Sequence, residues 1–105
     1  NSQFGVGDAV GQHFGLGSAA KSGILFERTS SYGRGNLHFL QNILADTSNA
    51  NLTNSVMTIT GDGKVGVGTT EPQNEFEVIG DGNFTGNVTV GDCIVFANGG
   101  KICSA

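Results

Sequence analysis

The sequence is organised around a glycine-headed unit that begins Gly61-Asp62-Gly63-Lys64-Val65-Gly66-Val67-Gly68-Thr69-Thr70-Glu71-Pro72. The same turn signal returns at Gly80-Asp81-Gly82-Asn83 and, more weakly, at Gly99-Gly100-Lys101, so it recurs every nineteen residues. Between the turns, apolar residues occupy alternate positions, which is the period of a β-strand with one buried face. We therefore divide the chain into an N-terminal β region, residues 1–60, and a region of glycine-headed strand repeats, residues 61–105, that ends in a hairpin.

The composition limits how much core one copy of the chain can form. Only 37% of the 105 residues are hydrophobic, while 18 are glycine and one is proline. Soluble domains are roughly 45–50% apolar when glycine is counted among the apolar residues. Glycine at this density without a three-residue period is typical of many tight turns between short strands. The composition predicts an all-β fold of short strands and glycine-rich turns, with partner chains supplying part of the core.

Charge and hydropathy exclude two classes of partner. The net charge is −4, and the five basic residues are scattered along the chain, so we expect no nucleic-acid partner. The sequence contains no apolar run long enough to cross a bilayer, so we expect no membrane insertion. Because the chain begins at Asn1, we expect it to be a processed product or a piece of a longer protein.

Several stretches of the N-terminal region predict strands. The glycine-spaced segments Phe4–Gly7 and Phe14–Gly17 predict two short strands, because alternating glycine disfavours a helix. Residues 23–29 lie between turn clusters and predict a third strand. Residues 37–41 are compatible with a helix or a strand, and we favour a strand because their neighbours are strands. The polar stretch 45–54 predicts a surface loop.

The C-terminal region predicts a hairpin followed by two half-buried strands. Residues 55–60 and 64–68 flank the Gly61–Gly63 turn and predict the hairpin, while Pro72 marks a break. Residues 75–78 and 83–90 each place apolar side chains on one face. Several copies of such a face can close a core that one copy cannot. The expected oligomer core consists of Phe76, Val78, Phe84, Val88 and Val90.

The chain end predicts a closing hairpin that contains both cysteines. A three-residue loop, Ala97–Gly99, places Cys93 opposite Cys103 and permits a disulfide with a Cα separation of about 4.4–6.8 Å. A two-residue loop, Asn98-Gly99, would instead send the two sulfurs to opposite faces. A disulfide would favour an extracellular, oxidising setting, although a particle assembled in a cytosol could keep the thiols reduced until release.

We find no constellation that predicts catalysis, a metal or a cofactor. The glycine turns lack the helix and lysine of a phosphate-binding loop. The two histidines are isolated, so solvated or hydrogen-bonded roles are favoured over metal binding. The carboxylate pairs fit a solvated strand face and turns better than a glycosidase cleft or a calcium loop. The residues weighed in this way are His13, His38, Glu75, Glu77, Asp62 and Asp81.

Three Asn-x-Ser/Thr sequons are candidate glycan sites if the protein is made in a glycosylating cell. They begin at Asn51, Asn83 and Asn87. In a chain this rich in asparagine and threonine, composition alone also accounts for three matches.

The run Met57–Pro72, followed by Phe76–Gly80, resembles the G-N-V-G-I-G-T-T-x-P … K-L-x-V-x-G signature of phage tail fibres, tailspikes and bacterial surface proteins of related build. Residues 24–28 and 34–39 are similar to the segments that precede it, so the resemblance covers roughly residues 20–91. Phe76 stands where leucine is commoner, and the two cysteines are not part of the signature. The resemblance implies an elongated, parallel, intertwined homotrimer. Many such fibres also carry a self-releasing C-terminal chaperone, and one hypothesis is that residues 103–105 are the end left after release.

These observations favour a non-enzymatic fibre segment at a virion or cell surface, a stalk or a receptor-contacting part, without cofactor. The expected partners are identical chains and a host cell-surface glycan or protein. One alternative is the repeating subunit of an extracellular filament, joined by strand exchange. Another is a glycan-binding module that uses Tyr32 and the loops 30–36 and 45–54.

Overall fold

The computed structural model of the protein describes residues 7–104 and is all-β, as the sequence predicts. It has two short 3-10 turns, Ser31–Gly33 and Leu52–Asn54. The strands are β1 Ala9–Phe14, β2 Ser22–Arg28, β3 Gly35–Gln41, β4 Ser55–Ile59, β5 Val65–Val67, β6 Phe76–Val78, β7 Cys93–Val95 and β8 Lys101–Cys103. Neither 3-10 turn is long enough to cross a membrane, and the described range has no other helix.

Six strands form one sheet in the order of the sequence, and the last two form a separate hairpin. The order of the larger sheet is β1-β2-β3-β4-β5-β6. Its neighbouring strands are antiparallel except β5 and β6, which are parallel. The predicted strands at 23–29 and 37–41 are confirmed as β2 and β3.

The turn between β4 and β5 is the hairpin that the Gly61-Asp62-Gly63 sequence predicts. The N–H of Thr60 donates to the carbonyl of Lys64 (2.8 Å), and the N–H of Gly63 donates to the carbonyl of Thr60 (2.9 Å). Gly63 has φ +89°, in the left-handed region that a three-residue hairpin loop requires at its last position. The local sequence therefore specifies this turn, and one contact from β3 supports it, because the N–H of Gly61 donates to Asn36 Oδ1 (3.0 Å).

In the stretch Val65–Pro72, Gly66 is required by close packing. Gly66 is buried, and a Cβ at this position would lie 2.6 Å from the carbonyl oxygen of Thr69 and 3.3 Å from the Cβ of Pro72. The chain after β5 therefore folds back over Gly66 and buries Pro72 before it returns as the parallel strand β6. This connection, 68–75, is shorter than an ordinary parallel crossover because no helix intervenes.

The small core lies on one face of the six-stranded sheet, beneath the loop 42–54. It consists of Leu25, Leu40 and Ala50, with Leu52 packed against them. The loop is held by its backbone, because the N–H of Ala50 donates to the carbonyl of Ala20 (2.7 Å).

Three expectations about strands need correction or lie outside the description. Residues 83–90 form no strand, because neither edge of either sheet lies alongside them to pair with their backbone. The predicted strand Phe14–Gly17 is displaced to Ala9–Phe14, since Gly17 turns the chain with φ +90°. Only Gly7 of the predicted strand Phe4–Gly7 belongs to the described residues.

The strand predicted at 75–78 forms as β6, but its apolar face, which was expected to be the buried one, is exposed. Phe76 is 62% exposed, whereas Glu77 on the other face is less exposed and accepts a hydrogen bond from the N–H of Gln73 (2.8 Å). In a single chain, the apolar side of β6 therefore faces solvent.

Candidate functional site

The main feature of the surface is an apolar face on the six-stranded sheet. Side chains alternate between the two faces of a strand, so the strand register assigns them to rows that run across the sheet. One row consists of Val10, Phe26, Leu37, Ile59, Val65 and Phe76. The next row consists of Gln12, Ile24, Phe39, Met57, Val67 and Val78. We call these twelve positions the apolar face, and Gln12 is its one polar member.

None of the twelve positions is buried. The exposed fraction reaches 62% at Val10, 42% at Ile24 and 62% at Phe76, while the central positions are shielded only by their neighbours. On the opposite face, by contrast, the register places Leu25, His38, Thr58 and Gly66 in one row, and all four are buried. The chain thus covers one side of its sheet and leaves the more apolar side open.

The size of this face indicates a binding surface. With strands about 4.8 Å apart and a two-residue repeat of about 6.8 Å along each strand, two rows across six strands span roughly 400 Å². The largest contiguous apolar patch on a soluble monomer is typically roughly 300–600 Å² and is often functional, so this face has the size of such a patch. A surface of this size with one polar side chain in twelve is therefore a candidate site for association with another protein surface.

The extended segment 79–92, which joins the two sheets, adds further exposed apolar residues. It contains no strand, and Phe84, Val88 and Val90 are 69%, 55% and 42% exposed. Thus the five residues expected to form an oligomer core lie in two places: two are at the edge of the apolar face, in β6, and three are in this segment.

The sequence reasoning missed the rest of the apolar face. Its members in β1–β5 follow the same every-second-residue pattern, visible at Ile24/Phe26, Leu37/Phe39 and Met57/Ile59. The pattern shows that each strand has an apolar side. It does not show that the apolar sides of all six strands fall on one face, because that depends on the cross-strand register.

A buried polar cluster lies on the covered face. The imidazole of His38 contacts the Oγ of Ser55 through Nδ1 (2.9 Å) and the Oε1 of Glu27 through Nε2 (3.0 Å), and Thr58 Oγ1 lies 3.2 Å from Nδ1. The order serine, histidine, carboxylate is that of a hydrolytic triad. However, His38 is 3% exposed and Thr58 is fully buried, so a substrate cannot approach the imidazole. The cluster satisfies buried polar groups and stabilises the fold.

His13, the second of the two histidines weighed as metal ligands, also has a structural contact. His13 Nε2 lies 2.8 Å from the carbonyl oxygen of Ala50, on the loop that covers the sheet. In the part of the chain that the structure describes, no three His, Cys, Asp or Glu side chains come together as metal ligands.

The side chain of Lys21 adds to the backbone hydrogen bond that holds the loop over the core. Lys21 Nζ donates to Asp46 Oδ1 (2.8 Å) and to the carbonyl of Ser48 (2.6 Å). The hydrogen bond from Lys21, with further bonds from Ser48, lowers the pKa of Asp46 from 3.8 to about 2. In the β4–β5 turn, the hydroxyl of Thr60 likewise lowers the pKa of Asp62.

The three sequons differ in their surroundings. Asn51 is part of a capping box, because its Oδ1 accepts from the N–H of Thr53 (2.9 Å) and its own N–H donates to Asn54 Oδ1 (2.9 Å). Asn83 and Asn87 lie exposed in the segment 79–92. All three side chains are at the surface, and glycan attachment at any of them stays a prediction.

The two cysteines are joined by a disulfide, and the hairpin has the three-residue loop. Cys93 pairs directly with Cys103 in the β7–β8 register, with Cα atoms 4.2 Å apart. This separation is slightly below the expected range, because the two residues form a non-hydrogen-bonded pair, in which antiparallel strands approach most closely. Gly99 has φ +92°, and its N–H donates to the carbonyl of Phe96 (2.9 Å).

Function must be inferred from this geometry: in comparisons with known proteins, no protein-family model matches the chain, and no curated protein is significantly similar to it.

Proposed function

We propose that this chain is a non-enzymatic segment of an extracellular fibre, on a virion or a cell surface, and that it assembles as a parallel homotrimer. The observation that carries the proposal is the apolar face, which is open in one chain although the opposite face is covered. The number three comes from the resemblance of the Met57–Pro72 run to tail-fibre sequences. The disulfide is compatible with an extracellular protein.

Energetics set how completely the apolar face must be covered in a complex. Its footprint of roughly 400 Å² is an upper bound on the apolar area that coverage removes from water, so at about 25 cal/mol per Å² coverage contributes at most on the order of 10 kcal/mol per chain. Association itself costs roughly 4–15 kcal/mol, so only nearly complete coverage of the face gives a stable complex. Closing three identical faces around one axis provides such coverage, because each copy presents the same rows to its neighbours.

The segment 79–92 supports the same proposal. Its apolar residues alternate with polar ones from Val88 to Val90, and Phe84 is 69% exposed, yet its backbone has no strand partner in the described chain. Edge pairing with another chain would supply both the hydrogen bonds and the apolar contact. We propose that residues 83–90 form intermolecular strands in the trimer.

The experiment is a solution mass measurement on wild type and on Val88→Asp. We expect a trimer for wild type and a monomer for the variant, because three carboxylates would be buried in one core. Asn87→Asp is the matched control, because it introduces the same side chain at the neighbouring residue, which is also exposed. In a strand, the side chains of residues 87 and 88 point to opposite faces. A trimeric Val88→Asp variant would show that residues 83–90 are not part of the interface.

A second candidate is an extracellular filament joined by strand exchange. It is favoured by the outer edges of the six-stranded sheet, where β1 and β6 each have one neighbour. Open edges are templates for another chain, and head-to-tail pairing does not close. Electron microscopy distinguishes the two, because exchange gives polymers of many lengths and the trimer gives one particle size.

A glycan-binding role has one specific observation in its favour, at the β2–β3 turn. Tyr32 is 97% exposed and has φ +62°, a strained conformation for an aromatic residue. Arg34 holds the turn: its Nε donates to the carbonyl of Ser31 (3.0 Å), and its Nη2 donates to Ser30 Oγ (2.9 Å). An exposed tyrosine on a turn that is held by hydrogen bonds suits stacking on a sugar ring. Binding on a glycan array that is lost in Tyr32→Ala would support this role, and unchanged binding would contradict it.

A further inference from the structure

The hairpin formed by β7 and β8 has an apolar strip of its own. Ile94 pairs with Ile102, and Phe96 follows on the same side across from Gly100. Ile94, Phe96 and Ile102 are 45%, 48% and 60% exposed. The other side of the hairpin holds the disulfide, Val95 and Lys101.

The hairpin depends on its disulfide because it has little else to support it. β7 and β8 pair only with each other, and the strands have three residues each. An isolated two-stranded hairpin is marginal in water. The Cys93–Cys103 bond spans a sequence separation of 10 and restricts the open chain, which favours the folded hairpin.

We infer that this hairpin is a redox-dependent cap of the trimer, in which the apolar strips of three chains pack against one another. The inference rests on the proposed trimer. In a cyclic assembly the same segment of each chain lies at the same height along the axis, so the three strips meet when this side of each hairpin faces the axis. The strip carries no charge, and Lys101 is on the opposite side, so three strips can approach without burying a charge.

Reduction opens the cap by ordinary thiol–disulfide exchange. A dithiol reductant gives two electrons and two protons to the Cys93–Cys103 bond and becomes a disulfide, leaving two cysteine thiols. The bond is accessible, because Cys103 is exposed and Cys93 is partly exposed. With the constraint lost, the hairpin opens and no longer presents its strip, so the trimer weakens at this end.

The test compares oxidised wild type, wild type in a dithiol, and the double variant Cys93→Ser, Cys103→Ser, by sedimentation over a range of concentrations. We expect the apparent dissociation constant of the trimer to rise by at least about tenfold on reduction or substitution. Equal constants for the three samples would overturn the inference. A monomeric oxidised wild type would instead overturn the proposed function, so the two failures are distinguishable.

Two further variants separate the strip from the disulfide. Ile102→Asp and Val95→Asp introduce the same charge at positions that are 60% and 62% exposed, on opposite sides of the hairpin. We expect Ile102→Asp to weaken the oxidised trimer by at least about tenfold and Val95→Asp to leave it within about twofold of wild type. Equal effects of the two variants would show that the strip is not the contact surface. Mass spectrometry verifies that the disulfide is intact in both.

Discussion

Replacing Ile24 by aspartate tests whether the apolar face is the assembly surface. Ile24 lies in β2, in the row between Gln12 and Phe39, and is 42% exposed in the single chain. Because much of its side chain is already in contact with water, we expect the variant to fold as a monomer. In the proposed trimer the same side chain is covered, so the substitution acts on assembly.

The magnitude follows from the exposed fraction. Full burial of an isoleucine contributes about 1.5–3 kcal/mol, so covering the remaining 42% contributes about 1 kcal/mol per chain. Burying a carboxylate without a partner costs several kcal/mol more. Over three chains the loss exceeds about 10 kcal/mol, which at about 1.4 kcal/mol per tenfold change abolishes the trimer at micromolar concentration.

The assay is analytical ultracentrifugation with circular dichroism to verify the fold. Ile43→Asp is the matched control, because Ile43 is 93% exposed in the loop on the far side of the chain from the apolar face. We expect the control to remain trimeric and Ile24→Asp to sediment as a folded monomer. If the Ile24→Asp variant assembles to the same oligomer as wild type, the apolar face is not the assembly surface.

Two more predictions concern the covered side of the sheet. Gly66→Ala should destabilise the protein by about 1–3 kcal/mol in urea unfolding, because the new Cβ would lie 2.6 Å from the carbonyl oxygen of Thr69. Gly91→Ala is the control: a Cβ there meets nothing within 4 Å and the residue lies outside 83–90, so the free energy of unfolding should change by less than about 0.5 kcal/mol. The pKa of Asp46, about 2 in the fold against 3.8 as its ordinary value, means that its contribution to stability is complete above pH 3.8 and is lost as the pH falls through 2. Lys21→Met should raise this pKa toward 3.8 in an NMR titration, and an unchanged value would show that Lys21 does not hold the loop.

Local turn chemistry accounts for what the sequence predicted well. The Gly61–Gly63 and Ala97–Gly99 loops each end in a glycine with positive φ, at +89° and +92°. A three-residue hairpin loop requires this conformation at one position, and glycine adopts it without steric cost. Once the loop length is fixed, the pairing of the flanking residues follows, and so does the Cys93–Cys103 bond.

The prediction failed where a strand needs a neighbour that the sequence does not specify. Residues 83–90 have the composition of a strand, and the pattern is correct for one, but a strand exists only where a second backbone accepts its hydrogen bonds. In the described chain no such backbone is available. The lack of a strand partner for this segment among residues 7–104 is the observation on which the proposed intermolecular pairing of residues 83–90 rests.

The apolar face also could not be predicted from the sequence, although each of its strands could. Each strand's alternation was readable, but the alignment of six apolar sides depends on five registers that nonlocal contacts determine. A shift of one residue in β3 would have placed His38 on the open face and Leu37 beneath the loop 42–54. The hydrogen bonds of His38 with Glu27 and Ser55 oppose that shift, because it would remove the imidazole from Ser55 and from the fully buried Thr58. The polar cluster on the covered side therefore contributes to the register that keeps the apolar side uniform. In the proposed trimer, the assembly surface would then depend in part on a histidine that lies on the other face of the sheet.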